Sequence, residues 1–487
     1  MKAQAGDVFC TYSRQLKEYA ACQITKVKEK NQGLLLLLDW HGKEPLTPEE
    51  LPSLRPMVLN YFFWQDRYDH LHVPLEVPGN YRFVGNIPPL IDDDSNSWGG
   101  WGITGTMASQ LWWDTLPEEQ RRAFKAAAGS REEVMVAGIP VKKCLSRLYD
   151  TQIPIRRAEE LRALPCLLEL NCTRWYPDLP DYLREDPFLV DLRLENHGQR
   201  TLDFRGTSLR KLIVDLTGVE ELWLGDRLEA LLLLNREPDR CRIHASGEGE
   251  GLSIDFKGAV FPHPELPFLS SVSCTGVEEL DLRVLREQYP RLRSLRLWGK
   301  PGVLKNFGEL KRFPELETFT TVDLFGFTGA DIPLPEELPC LTWFWMSSLP
   351  EDAAKTAKKL YKKREGLNLW ITKARKPEWL AENLTNPFRH WDGMEGVPAS
   401  AAKRAANLYK KLRGTLAKLA GEPPENAMDL AREAVAAYTK PFNRMVFIET
   451  EEREDVYSAL CAILDDLPEG ALDREALLDT FEEIRDF

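Results

Sequence analysis

Apolar positions in the middle of the chain recur in a fixed order. Written as P-x-L-x-x-[LFV]-x-[small apolar], the pattern reads PCLLELNC at 165–172, PFLVDLRL at 187–194 and PFLSSVSC at 267–274. It returns as PRLRSLRL at 290–297, PELETFTT at 314–321 and PCLTWFWM at 339–346. SLRKLIV (208–214) and LEALLLL (228–234) fit without the proline. The first leucines stand at 167, 189, 209 and 228, then at 269, 292, 316 and 341, in steps of 19–25 residues. Leucine-rich repeats have such periods and one short strand per repeat. The gap between 228 and 269 predicts a degenerate repeat and a loop at SGEGEG (246–251).

Side chains on a strand alternate between its two faces. In LTWFWM, Leu341, Phe344 and Met346 therefore predict core, while Trp343 and Trp345 point out. Aligning the repeats gives outward columns. One runs Glu169, Asp191, Ser271, Ser294, Thr318, Trp343, Asn368, and the next Asn171, Arg193, Ser273, Arg296, Thr320, Trp345, Trp370. Trp298 falls in a third. The expected concave sheet is polar and charged early and aromatic late. Trp and Arg are the residues that dominate binding hot spots, which makes Arg193, Arg296, Trp298, Trp343, Trp345 and Trp370 the candidate partner-binding residues. The competing reading places the tryptophans beneath RKPEWLAENLTNPFRHWDG at 375–393.

The flanks have other periods. Residues 1–155 carry short strand-like runs (DVFCTY, AACQITKVK, GLLLLLDWH, HLHVPLEV, YRFVG) between polar turns and predict a β-rich domain. Residues 396–487 show helical spacing in SAAKRAANLYKKLRGTLAKLA, NAMDLAREAVAAYTK and DREALLDTFEEIRDF. The expected fold class is α/β: an irregular leucine-rich-repeat solenoid over 156–395, between a β-rich N-terminal domain and an α-helical C-terminal domain.

Composition narrows the setting. The 487 residues are 43% apolar and 29% charged, as in globular proteins. No apolar signal core opens the chain, and Leu34–Leu38 is too short an apolar run to span a bilayer, so a cytoplasmic location is expected. Nine cysteines without a CxxC pair predict free buried thiols. Residues 447–487 hold 14 acids and 3 bases; residues 355–376 hold nine bases and one acid. The basic band of Lys355, Lys358, Lys359, Lys362, Lys363 and Arg364 lacks interleaved exposed aromatics of the nucleic-acid-binding kind, and the net charge is −13, which argues against nucleic acid.

Motifs for chemistry fail on inspection. Gly100, Gly102 and Gly105 match a dinucleotide fingerprint by letter, but IDDDSNSW precedes them instead of a buried strand. Asp92, Asp94 and Asn96 begin like a calcium loop, yet Ser97 replaces the glycine and Ile103 the closing glutamate. His70 and His72 share a strand face without a clear third ligand. No GxSxG, P-loop or HExxH is present. No cofactor, metal or catalytic residue is assigned.

LRSLRLWGKPGVLKNFGEL, TVDLFGFTGADIP, LTWFWMSSLPEDAAKTAKKLYKK, ITKARKPEWLAENLTNPFRHWDG and the tail FIETEEREDVYSAL resemble bacterial cytosolic leucine-rich-repeat proteins often called gliding motility proteins. GDVFCTYSRQLKEYAACQITKV is similar to a β-rich immunity-protein family of bacterial toxin systems. These resemblances imply no catalytic residues. Together with the exposed aromatics they lead to the expectation of a non-enzymatic protein-binding protein, an immunity protein that occludes a toxin. The alternatives are a scaffold in a multiprotein assembly, or an enzyme with a site around Asp92–Gly105.

Overall fold

The computed structural model describes residues 1–487 apart from 29–30, 236–240, 259–264, 384–385, 393, 395 and 469. The chain divides into two compact units, Met1–Ala374 and Arg375–Phe487; the sequence had suggested boundaries after 155 and 395.

The first unit begins with a five-stranded antiparallel sheet in the order His70–Pro74, Gln32–Gly42, Glu18–Lys28, Asp7–Ser13, Tyr81–Asn86. Leu34–Leu38 lie in its central region, and all five are buried. Alternate leucines enter opposite cores: Leu35 and Leu37 join Phe9, Ile24, Trp101 and Met107, while Leu36 and Leu38 join Val8, Cys10 and Leu51. A strand covered on both sides reads as an unbroken apolar run. The helices Ile103–Thr115 and Glu118–Ala128 follow.

An eleven-stranded parallel sheet then runs in chain order from Arg147–Tyr149 to Asn368–Arg375. Its inward ladder pairs Leu170, Leu192, Leu212, Leu231, Ile254, Val272, Leu295, Phe319 and Phe344 side by side, all buried. Each such side chain contributes roughly 1.5–3 kcal/mol on burial. The helix Glu351–Tyr361 adds Ala353, Ala354, Ala357 and Tyr361 to the same core.

The α/β class agrees with this arrangement. The irregular leucine-rich-repeat solenoid standing between separate flanking domains does not, and is corrected to a mixed α/β fold with many strands. Strand length varies from 3 to 12 residues. A second parallel sheet pairs Thr201–Asp203, Glu221–Trp223 and Arg242–His244. The N-terminal sheet belongs to the same compact unit as the parallel one. The repeating pattern specifies which few side chains per strand face inward. It does not specify how far a strand runs or what packs against its ends. The expected degenerate repeat corresponds to the strand Ser253–Lys257, with Ile254 and Phe256 inward; parts of that gap, 236–240 and 259–264, lie outside the described residues.

The second unit is helical. Ala399–Gly421, Ala427–Thr439, Thr450–Asp465 and Arg474–Ile484 enclose Leu416, Val435, Phe442, Leu460 and Phe481. Trp391 is fully buried, and its indole N–H donates to Asp455 Oδ2 at 2.8 Å. His390 Nε2 meets the same carboxylate oxygen at 2.7 Å, and this hydrogen bond holds the imidazole pKa above its ordinary value. The folded state thus binds the His390 proton more tightly than the unfolded state. The resulting stability is complete below the ordinary histidine pKa and is lost as pH rises through the raised value. His390 is half exposed, so the gain stays below about 1 kcal/mol. Thermal melts of the full chain at pH 5.5 and 8 are expected to show a smaller difference in His390→Gln than in the parent.

Candidate functional site

The outward face of the parallel sheet changes character along its length. In the early strands charges neutralise one another: Arg147 meets Glu169 at 2.5 Å, Lys211 meets Asp191 at 3.1 Å, and Arg193 pairs with Glu195. Burial pushes the Asp191 carboxyl up, while the Lys211 ammonium pulls it back. In the late strands the face is aromatic. Across Trp343–Met346 the side chains alternate exposed, buried, half-buried, buried, as the spacing predicts. Trp343 is 38% and Trp370 59% exposed; Trp345 and Trp298 are half-buried. Register places Thr318 beside Trp343, Arg296 beside Thr320 and Thr320 beside Trp345. The Asn368 N–H donates to the Thr342 carbonyl at 2.8 Å, which brings the Trp370 strand alongside. Arg296 is exposed and has no ion pair among the described residues.

Five of the six expected residues therefore share one patch over four adjacent strands. Arg193 does not. Four strands separate its strand from that of Arg296, roughly 24 Å at about 4.8 Å per strand, and its charge is spent on Glu195. Aligned columns show which face a residue occupies but compress the distance along it.

One element bordering this face was not anticipated. The N-terminal region lies against the beginnings of the parallel strands. Arg14 pairs with Glu317, which directly precedes the Thr318 strand. A Cβ on Gly79 would lie 3.6 Å from the Thr342 methyl group, and one on Gly366 3.4 Å from the Gly79 nitrogen. Further along, Ser109 accepts from Arg210 at 2.9 Å, and Arg227 sits 4.2 Å over the Trp112 ring. Each contact joins residues about a hundred or more positions apart, and a single sequence carries no signal of such pairing.

Comparison with protein-family models and with curated proteins finds no match. The site is therefore read from its own geometry.

The other motifs are occupied by structural roles. A Cβ on Gly100, Gly102 or Gly105 would meet nothing within 4 Å, so no close backbone approach requires glycine there. Asp92 and Asp94 bind Lys26 at 2.9 and 3.6 Å, and Asp94 binds Lys28 at 2.6 Å. His70 is buried against Thr25 Oγ1 at 2.7 Å; His72 Nε2 lies 2.7 Å from the Ser95 carbonyl, with its ring stacked on Trp98. Among the described residues no three His, Cys, Asp or Glu side chains converge as a metal-holding group. The nine cysteines are unbridged, and burial pushes the Cys166 thiol up to about 12. No helix among the described residues is long and apolar enough to cross a membrane.

Proposed function

We propose that this is a non-enzymatic protein-binding protein whose partner seats on the outward face formed by Arg296, Trp298, Trp343, Trp345 and Trp370. The observation that carries this reading is the exposure of Trp343 and Trp370 on one face, with an arginine two strands from Trp343 that has no ion pair among the described residues. Large rigid rings and a free guanidinium supply most of the binding energy at protein interfaces. The similarity of residues 6–27 to toxin-immunity proteins supports a toxin as that partner, neutralised by occlusion of its active surface. The acidic stretch at 447–487 suits steering of a basic partner.

The test is affinity capture from the native cell, followed by binding measurements with the protein captured, comparing the parent with Trp343→Ala/Trp370→Ala. Each lost hot spot costs about 2 kcal/mol or more, so the double variant is expected to bind at least a hundredfold more weakly with an unchanged circular dichroism spectrum. Equal affinity in a folded double variant rules out this face. A captured protein that is neither toxic nor encoded beside this chain rules out the immunity role while leaving the binding face intact.

A further inference from the structure

A cleft of 660 Å³ opens in the N-terminal region between the loop Asn60–Asp66 and the helix Glu118–Ala128, and none of the tryptophans of the outward face lines it. Its size falls within the range of roughly 300–1,000 Å³ seen for small-molecule sites. We propose that it binds a small organic anion carrying an aromatic ring.

The loop is held in an unusual shape. Phe62 and Asp66 adopt left-handed backbone conformations, with φ of 46° and 49°. For a bulky residue such as Phe62 this costs about 1–3 kcal/mol and persists only where the surroundings enforce it. Lys125 supplies that enforcement. Its ammonium reaches from the helix to donate to the Phe62 carbonyl at 2.7 Å and to the Trp64 carbonyl, and it sits 5.3 Å from the centre of the Trp113 ring. The cleft wall is thus pre-formed, and the lysine is committed to building it.

The ligand's charge is read by arginine. Arg121 and Arg122 line the cleft from the helix. Arg121 keeps 29% of its side chain exposed, and its Nη1 lies 3.6 Å from Asp114, beyond hydrogen-bond length. A carboxylate or phosphate oxygen entering the cleft can accept a charge-assisted bond from a lining guanidinium. Asp66 and Glu118 also line the cleft. They offset two of its three cations, so recognition rests on the guanidinium fork instead of on bulk positive charge. Phe63, 43% exposed, with the half-buried Trp64 supplies ring surface for an aromatic body. An inorganic anion would leave these rings bare, and an uncharged ring would give the two arginines no charged acceptor. The combination selects a ligand with both parts.

Calorimetric titration of the full chain tests this with indole-3-acetate and adenosine 5′-monophosphate as carboxylate and phosphate probes. Acetate, inorganic phosphate and adenosine serve as their ringless or uncharged counterparts. At least one ringed anion is expected to bind saturably, tenfold or more tighter than its counterparts, and the preferred probe distinguishes carboxylate from phosphate. Arg121→Gln is expected to weaken that binding by tenfold or more, and Phe63→Ala, which alters an exposed ring and leaves the fold intact, by several-fold. The proposal is overturned if neither ringed probe saturates at millimolar concentration, or if the ringless anions bind equally well. It is also overturned if folded Phe63→Ala and Arg121→Gln both bind like the parent.

Discussion

Replacing Phe344 by alanine is expected to lower the unfolding free energy by about 3–5 kcal/mol, whereas the same change at its neighbour Trp343 costs no more than about 1 kcal/mol. Phe344 is fully buried. Its ring stands edge-on to Tyr361 at 4.9 Å and tilts against Phe319 at 5.9 Å, so truncation opens a cavity between a strand and the helix covering it. Trp343 is larger, but over a third of it already faces water. Urea unfolding of both variants checks the contrast. A Trp343→Ala loss as large as that of Phe344→Ala means the indole is packing material, and the binding face loses its principal residue. A difference of several kcal/mol in the opposite order to side-chain size shows that strand alternation sets the energetics.

The second large effect is expected at Trp113. Its indole is buried at the junction between the N-terminal helices and the parallel sheet. The ring lies 5.9 Å from Phe62, 5.5 Å from Phe124 and 5.7 Å from Phe188, three residues before the strand Asp191–Leu194. It also carries the Lys125 ammonium. Trp113→Ala removes all of these contacts and is expected to cost about 3–5 kcal/mol. The loss should be regional as well as global. Hydrogen exchange is expected to accelerate most in the helices 103–128, because they are tied to the sheet through this ring, and less in the strands 294–350. Uniform acceleration along the first unit refutes the idea that Trp113 is the clamp. Trp112→Ala, which releases Arg227 and one edge contact with Phe62 on a half-exposed surface, provides the smaller comparison.

Local alternation was legible in the chain, and long-range placement was not. Leu341, Phe344 and Met346 could be assigned inward from spacing alone because a strand has a period of two. The strand Ser253–Lys257 was available to the same reasoning, since Ile254 and Phe256 alternate with polar neighbours. A template built on leucine and proline passes over it. The strand Arg147–Tyr149 has one inward residue, Leu148, and three residues are too few to show a period. The solenoid expectation failed for a different reason. Repeating inward leucines specify a core-facing ladder, and such a ladder is compatible with more than one architecture. Arg193 was grouped with the late tryptophans because its column is the same, although its position along the sheet is not. Arg121 and Lys125 read as ordinary polar positions of an amphipathic helix. Only the loop folded over them, with two residues at positive φ, makes them part of a cleft.

The contacts between the first sheet and the starts of the parallel strands also set a timetable. Arg14 and Glu317 are 303 residues apart, and Gly79 waits for Thr342 and Gly366. A ribosome adding about 5–20 residues per second takes roughly 15–60 s to cover that separation. For that interval the N-terminal sheet is already translated while part of its mating surface does not yet exist. A nascent chain arrested near residue 200 presents Arg14 and Gly79 without their partners, and chaperone engagement is expected to peak there and decline once residue 366 has left the exit tunnel.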